Sequence, residues 1–407
     1  MALFAAATHA EEPGAADLFS RHKDRVFQVR VVDREAENKS SLGTGFLVAE
    51  DRLVATNYHV ISQFVDYPER YRLEYLDQAG KAGALTLLDV DVVHDLALLR
   101  TDDPMPAPLE LAETPPEQGV TIYSLGNPFD IGFTVVPGTY NGIDRGSYYE
   151  HIHFSGSINS GMSGGPVLDR QGRVVGVNVS TAGNQVSFLV PSKALGRLIG
   201  EWRDREGAIE SFRERIRDQL FANQERFMAR LLAEEWPEEE MASARAIGEL
   251  KPFVKCWGSS SEPDALYKSI SNLCASDQGI FLRSGFNTGV LAYQFIWLEA
   301  HELEAPRFQT QYQSVFESFR PDNVAGEDDA GDFVCDESFI TDERGHTDKT
   351  VLCIRAYREY EELFDALFIR GSVDTPRSAY MSHFTLAGMS RASIERFLER
   401  FLEAAGR

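Results

Sequence analysis

Three short stretches of the 407-residue chain hold the residue types of nucleophilic catalysis. SGMSGGPV, Ser160 to Val167, sets Ser163 among glycines and closes on Pro166. A serine hydroxyl is a weak nucleophile until a neighbouring imidazole accepts its proton. A carboxylate on the far ring nitrogen then fixes the imidazole tautomer and stabilises its cation. Upstream, ATNYHV offers His59 and VVHDLALL offers Asp95. Attack on a carbonyl creates an oxyanion that needs two aimed donors at about 3 Å. The backbone N–H groups of Gly161 and Ser163 are two residues apart and can converge on one point. Gly164 and Gly165 leave space beside the hydroxyl for an imidazole and a substrate strand. Alone, the glycine-rich stretch reads equally well as a turn; His59 and Asp95 give it chemical meaning.

A scaffold must bring these residues together. From about Arg25 to Gly200 the chain reads as short apolar or alternating runs separated by turn residues, among them RVFQVRVV, GTGFLVAE, DLALLRT, VTIYSLGN and VSFLVPS. Such spacing predicts paired antiparallel barrels or a sandwich, and the lack of βαβ alternation argues against a doubly wound sheet. His59 follows one predicted strand and Asp95 stands at the entrance to another. SKALGRLIGEW predicts a helix that closes the β region. Ile209, Phe212, Ile216, Leu220, Phe227 and Leu231 then fall at helical spacings and predict a long amphipathic helix ended by Trp236-Pro237. Residues 250–407 mix strand and helix patterns and read as an α+β domain, with an acidic loop, DNVAGEDDAGD, expected to be mobile. The expected organisation is a tail over 1–24, a β domain over 25–200, a helical connector over 201–249 and an α+β domain over 250–407.

Composition narrows the function. With 43% apolar and 25% charged residues the chain is an ordinary globular one, long enough for two or three domains. Its formal charge of -23 repels phosphate backbones and argues against nucleic acid. No apolar run reaches bilayer length. The start, MALFAAATHAEEPG, has a short apolar run from Ala2 to Ala7 and small residues suited to cleavage after Ala10. This composition resembles the end of a secretory signal and points to export to a periplasm or the medium. The four cysteines form two pairs with equal spacing, Cys256 and Cys274, Cys335 and Cys353. An exported chain permits three pairings, of which two local bridges are the simplest, while reduced core cysteines are the bland alternative. His151 and His153 share a strand face without a third ligand, so no metal is expected, and no cofactor motif is present.

The chain order His59, Asp95, Ser163 is that of chymotrypsin-type triads. GTGFLV, ATNYHV, DLALLR, LGNPFDIGFTVVPGTYNGIDR, INSGMSGGPVLDRQGRVVGVN and VSFLVPS follow one another over residues 42–192. Together they resemble the protease domain of the HtrA (Deg) family of trypsin-like serine proteases. The resemblance implies an all-β, double-barrel chymotrypsin-like fold and hydrolysis of polypeptide substrates. His59 would be the general base, Asp95 its orienting acid and Ser163 the nucleophile; Gly161 and Ser163 would supply the oxyanion hole. It also implies a primary pocket floored by Ile158 and walled by Ser187, Phe188 and Leu189. No Asp stands at its base, so a small or medium apolar residue is expected before the cut. Met162 stands where many members carry Asn and digestive enzymes carry Asp. It cannot pair with a freshly cut N-terminus, so activation by such a cut is not expected. No PDZ pattern follows residue 200. The second reading is a protease-fold scaffold whose C-terminal domain binds proteins.

Overall fold

YRLEYL, Tyr71–Leu76, buries every second side chain, the signature of a strand with one face on a core. In the computed structural model, which describes residues 14–183, 185–276 and 278–406, this strand belongs to a closed barrel. Its members are β1 (Val26–Asp33), β2 (Asn38–Leu47), β3 (Leu53–Thr56), β4 (Tyr71–Leu76), β5 (Ala82–Asp91) and β6 (Leu96–Arg100), ordered β1-β2-β3-β6-β5-β4. A second closed barrel holds β7 (Thr121–Gly126), β8 (Thr134–Ile143), β9 (Ile152–Phe154), β10 (Pro166–Leu168), β11 (Val174–Gly183) and β12 (Val186–Pro191), ordered β10-β11-β12-β9-β8-β7. Barrel closure removes the exposed strand edges that open sheets must otherwise protect. The double-barrel expectation is met.

Helices α1 (Ala15–His22), α2 (Tyr58–Asp66) and α3 (Ser192–Asp204) complete this unit, which comprises Met1–Asp144 and Glu150–Phe212. Leu18 of α1 and Leu195, Leu198 and Ile199 of α3 join one core with Val26, Phe46 and Leu98 of the first barrel and Leu125, Leu168 and Val177 of the second. The segment before Arg25, expected as tail, therefore contains a helix whose Leu18 is fully buried. Ala2–Ala7 and Ala10, on which the signal expectation rests, lie outside the described residues.

The second unit comprises Arg145–Tyr149 and Arg213–Arg407. Its elements are α4 (Phe212–Leu232, from its second residue), β13 (Glu238–Met241), β14 (Ala244–Ile247), β15 (Val254–Ser260), β16 (Tyr267–Ser276), β17 (Ile280–Arg283), β18 (Phe286–Thr288) and β19 (Leu291–Ala300). Then come α5 (Ala305–Phe316), β20 (Val334–Thr341), β21 (Thr347–Ala356), β22 (Phe364–Ser372), β23 (Ser378–Met389) and α6 (Arg391–Ala404). A seven-stranded sheet runs β15-β16-β19-β23-β22-β21-β20, with every pairing antiparallel. Successive strand residues face opposite ways. Phe295, Phe368 and Phe384 accordingly pack with Phe397 and Phe401 of α6 and Phe227 of α4, while Ile296, Leu367 and Ile369 pack with Phe308 of α5.

The predicted α+β character holds for this unit, with two differences. The 201–249 stretch, read as a helical connector with a packing face, holds that helix and also a hairpin. Phe227, Met228, Leu231 and Trp236 are core residues of the unit, and 238–247 fold into the β13–β14 hairpin. The acidic loop at 322–332 is tied down, because Asn323 donates to Asp365 at 3.0 Å and Arg283 pairs with Asp329. Cys256 joins Cys274 and Cys335 joins Cys353, each linking residues that face each other across adjacent strands. The two bridges thus fasten β15 and β20, the two outer strands of the sheet, to their neighbours. Among the described residues no helix is long and apolar enough to cross a membrane, and no cluster of three or more His, Cys, Asp or Glu could hold a metal.

Candidate active site

His59 is the second residue of α2, which starts directly after β3. Asp95 occupies the turn before β6 with φ of 53°, a left-handed conformation that Asp tolerates better than most residues. Its carbonyl accepts from Asn57 Nδ2 at 2.7 Å and from the Tyr58 N–H at 3.2 Å. Its carboxylate accepts the His59 N–H on Oδ1 at 2.8 Å and faces His59 Nδ1 with Oδ2 at 2.6 Å. Burial pulls the His59 imidazole towards its neutral form. The charge and hydrogen bond of Asp95 outweigh that, and the ring sits above its ordinary 6.5.

The 160–165 loop belongs to the second barrel but leans on the first. Thr44 of β2, fully buried, donates its Oγ1 to the Gly161 carbonyl at 2.7 Å and its N–H to the Ser163 carbonyl at 2.8 Å. Gly164 has φ of 81°, and a Cβ there would meet Thr44 O and Thr56 Oγ1 at 2.3 Å and the Asn57 nitrogen at 2.8 Å. Only glycine allows this approach, which brings the loop against the start of α2, where His59 stands. Asn178 of β11 braces the loop from the other side: its Nδ2 donates to the Met162 carbonyl at 3.1 Å, and its backbone pairs with Gly164 and Gly165.

The N–H groups of Met162, Gly164 and Gly165 donate to the carbonyls of Asn159, Asn178 and Met162, whereas those of Gly161 and Ser163 donate no hydrogen bond among the described residues. Two unspent donors thus flank the committed Met162 N–H. Gly161 has φ of 92°, and a Cβ there would strike Asn127 O at 2.4 Å. The Ser163 hydroxyl donates to the Val179 carbonyl at 3.4 Å, a long contact. Met162 is fully buried within the second barrel's core, where a charged partner would be costly.

The other predicted residues divide by environment. Ile158 and Leu189 are buried in the same core as Met162. Buried Ser187 accepts the Ile158 N–H at 3.3 Å and donates to Gly156 O at 2.8 Å. Phe188 is half-buried, its ring 6.2 Å from that of His151 and 6.4 Å from that of His153. Burial pushes His151 down to about 4. His94, read from sequence as a surface neighbour of Asp95, forms a second imidazole–carboxylate pair, its Nδ1 2.7 Å from Asp91 Oδ2. Arg197 faces its Nε2 at 3.1 Å and can only donate, so that nitrogen is already used as an acceptor. This pair is therefore structural. Thr44, Asn57 and Asn178 were missed by sequence reasoning. Thr44 and Asn178 lie within the quoted runs GTGFLV and RVVGVN, and Asn57 within ATNYHV, so the signal was position in a motif.

Residues 43–177 match the family described as trypsin-like peptidase domain. Serine protease HTRA1B of Danio rerio is 31% identical over 193 residues, covering 44% of this chain and 38% of that protein. Serine protease HTRA3 of Homo sapiens is 30% identical over 178 residues, covering 41% and 39%. A crystal structure of the serine endoprotease from Yersinia pestis aligns at a TM-score of 0.41 with 23% identity, covering 47% of this chain and 68% of that one. Over residues 43–177 the double barrel is thus similar to a trypsin-like peptidase domain. Within that class its relatives are HtrA serine proteases, at about 30% identity over the N-terminal part. The chain spans less than half the length of those curated relatives.

Proposed function

We propose that the first unit is a serine endopeptidase working through Ser163, His59 and Asp95. One observation carries the reading: the doubly bonded His59–Asp95 pair stands beside a glycine-shaped loop with two unspent N–H donors on either side of Met162. In this mechanism the Ser163 hydroxyl turns from Val179 O to the imidazole, which accepts its proton as Oγ attacks the scissile carbonyl. Asp95 accepts the hydrogen bond from Nδ1–H and stabilises the imidazolium without taking its proton. The Gly161 and Ser163 N–H groups hold the developing oxyanion. His59 then passes the proton to the leaving amine, and water repeats the sequence to release the acyl group from Ser163.

Substrates are exposed or misfolded polypeptides with a small or medium apolar residue before the cut, the class that fits Ile158, Ser187, Phe188 and Leu189 as pocket residues. Export to a periplasm or the medium is favoured by two disulfides, since reducing compartments seldom retain them. The test is labelling with a fluorophosphonate, together with digestion of a peptide library. Wild-type protein should label and cleave after Val, Ala or Leu, and Ser163→Ala should do neither. A folded wild type that never labels would favour the scaffold reading, in which the second unit binds proteins. Cuts dominated by Arg or Glu would remove the pocket assignment alone.

A further inference from the structure

The Ser160–Gly161 peptide decides whether one oxyanion donor is aimed, and residues 127–131 hold it. In a trans peptide the C=O and the following N–H point in opposite directions. The Phe129 N–H donates to the Ser160 carbonyl at 2.8 Å. That bond draws the carbonyl onto the 127–131 turn and sends the Gly161 N–H the other way. A flipped peptide would instead put a carbonyl oxygen where the oxyanion must sit.

The turn itself is held against its own preference. Phe129 and Asp130 have φ of 50° and 61°, two consecutive non-glycine residues in the left-handed region, which persist only where surroundings impose them. The Phe129 side chain is 62% exposed and that of Ile131 78%, so apolar packing does not impose them. The anchor is the Asp130 carboxylate. Gln28 of β1 donates to its Oδ1 at 2.6 Å, and Lys39 of β2 pairs with its Oδ2. Arg30 of β1 in turn donates to Gln28 Oε1, which turns the amide nitrogen towards Asp130. The hydrogen bond from Lys39, followed by that from Gln28, holds the carboxyl below the usual carboxylate range.

We infer that Asp130 is a positioning residue for the oxyanion site: clamped by Lys39 and Gln28, it sets the strained turn whose Phe129 N–H aims the Ser160–Gly161 peptide. This inference rests on the endopeptidase reading and adds a residue outside the triad to it. The clamp comes from the first barrel, and the peptide it aims lies in the second.

The test uses the full chain with a cleavable peptide and the matching peptide boronate, whose adduct with serine mimics the tetrahedral state. Asp130→Ala should lower kcat about 10- to 100-fold, below the 10²–10³ expected for complete loss of a donor, with KM unchanged. Boronate affinity should fall by the same factor. Asp130→Asn, which tolerates positive φ but keeps one acceptor oxygen for two donors, should recover only part of the loss. Lys39→Met breaks the clamp from an exposed position and should lower kcat at least threefold, so the inference stays testable if Asp130→Ala fails to fold. Unchanged kcat in Lys39→Met and in folded Asp130→Ala overturns it, as does a change confined to KM. A wild type that neither labels nor cleaves sinks the endopeptidase reading instead.

Discussion

Asp95 binds His59 at two points, the backbone N–H through Oδ1 and the ring Nδ1 through Oδ2. The first bond fixes the start of α2 relative to the carboxylate, and the second fixes the ring relative to the helix. The imidazole's outer nitrogen is thereby aimed by backbone geometry as well as by side-chain charge.

The pH profile follows from this pair. In the proposed mechanism His59 must be neutral to accept a proton, and its pKa lies above 6.5. Activity measured as kcat/KM should rise with pH through a midpoint above that value, since the ratio reports the free enzyme. Asp95→Asn removes the cause of the upward shift and presents the wrong tautomer. Its activity should fall by about 10⁴-fold, and its midpoint should move down.

Thr44→Val keeps the side-chain shape and removes the hydroxyl. The Gly161 carbonyl loses its donor, and the Asn127 N–H, which donates to Thr44 Oγ1 at 3.0 Å, loses its acceptor. Two buried backbone groups left unpaired cost about 2–4 kcal/mol together. Urea titration of the first unit should record that loss, and kcat should fall as the loop loosens.

His383 makes the second unit acid-sensitive. Its Nε2 lies 3.1 Å from Gln294 Oε1, its Nδ1 has no partner among the described residues, and burial holds it at about 4. A histidine depressed in the folded state adds stability that is complete above its unfolded pKa near 6.5 and is lost as pH falls towards 4. The loss should approach about 3 kcal/mol. Three of the four tryptophans, Trp236, Trp257 and Trp297, lie in this unit, so tryptophan emission follows it. His383→Gln should flatten the response between pH 6.5 and 4.

Reduction should act on one unit alone, because all four cysteines lie in the second. Each bridge closes a loop of 18 residues, and losing one costs about 3 kcal/mol. The paired variant Cys335→Ser, Cys353→Ser should lower the urea midpoint of the second unit. Fluorophosphonate labelling of Ser163 should persist. Loss of labelling in that variant, with the first unit still folded, would contradict the prediction.

The barrels were legible because their strands alternate and their turns carry glycine, and α3 because its apolar face is periodic. The second unit was less so. FDALFIRGS and SAYMSHFTLAGM are β22 and β23, central strands buried on both faces, and lack the alternation that marks a half-buried strand. The acidic 322–332 loop looked mobile because sequence gives no sign that Asn323 and Asp329 are buried. Around the candidate site, His59, Asp95 and Ser163 could be proposed from residue type and order. Thr44, Asn178 and Asp130 did not, since their roles lie in carbonyls and N–H groups contributed by distant segments. The spacing of the four cysteines did anticipate the observed bridges.

The dependence of the 160–165 loop on Thr44 makes the two barrels one folding unit around the candidate site. A polypeptide severed between β6 and β7 would yield one fragment holding the imidazole and another holding the hydroxyl, the second missing the strand that shapes its turn. In the proposed mechanism, turnover by such fragments would be second order in their concentrations at high dilution.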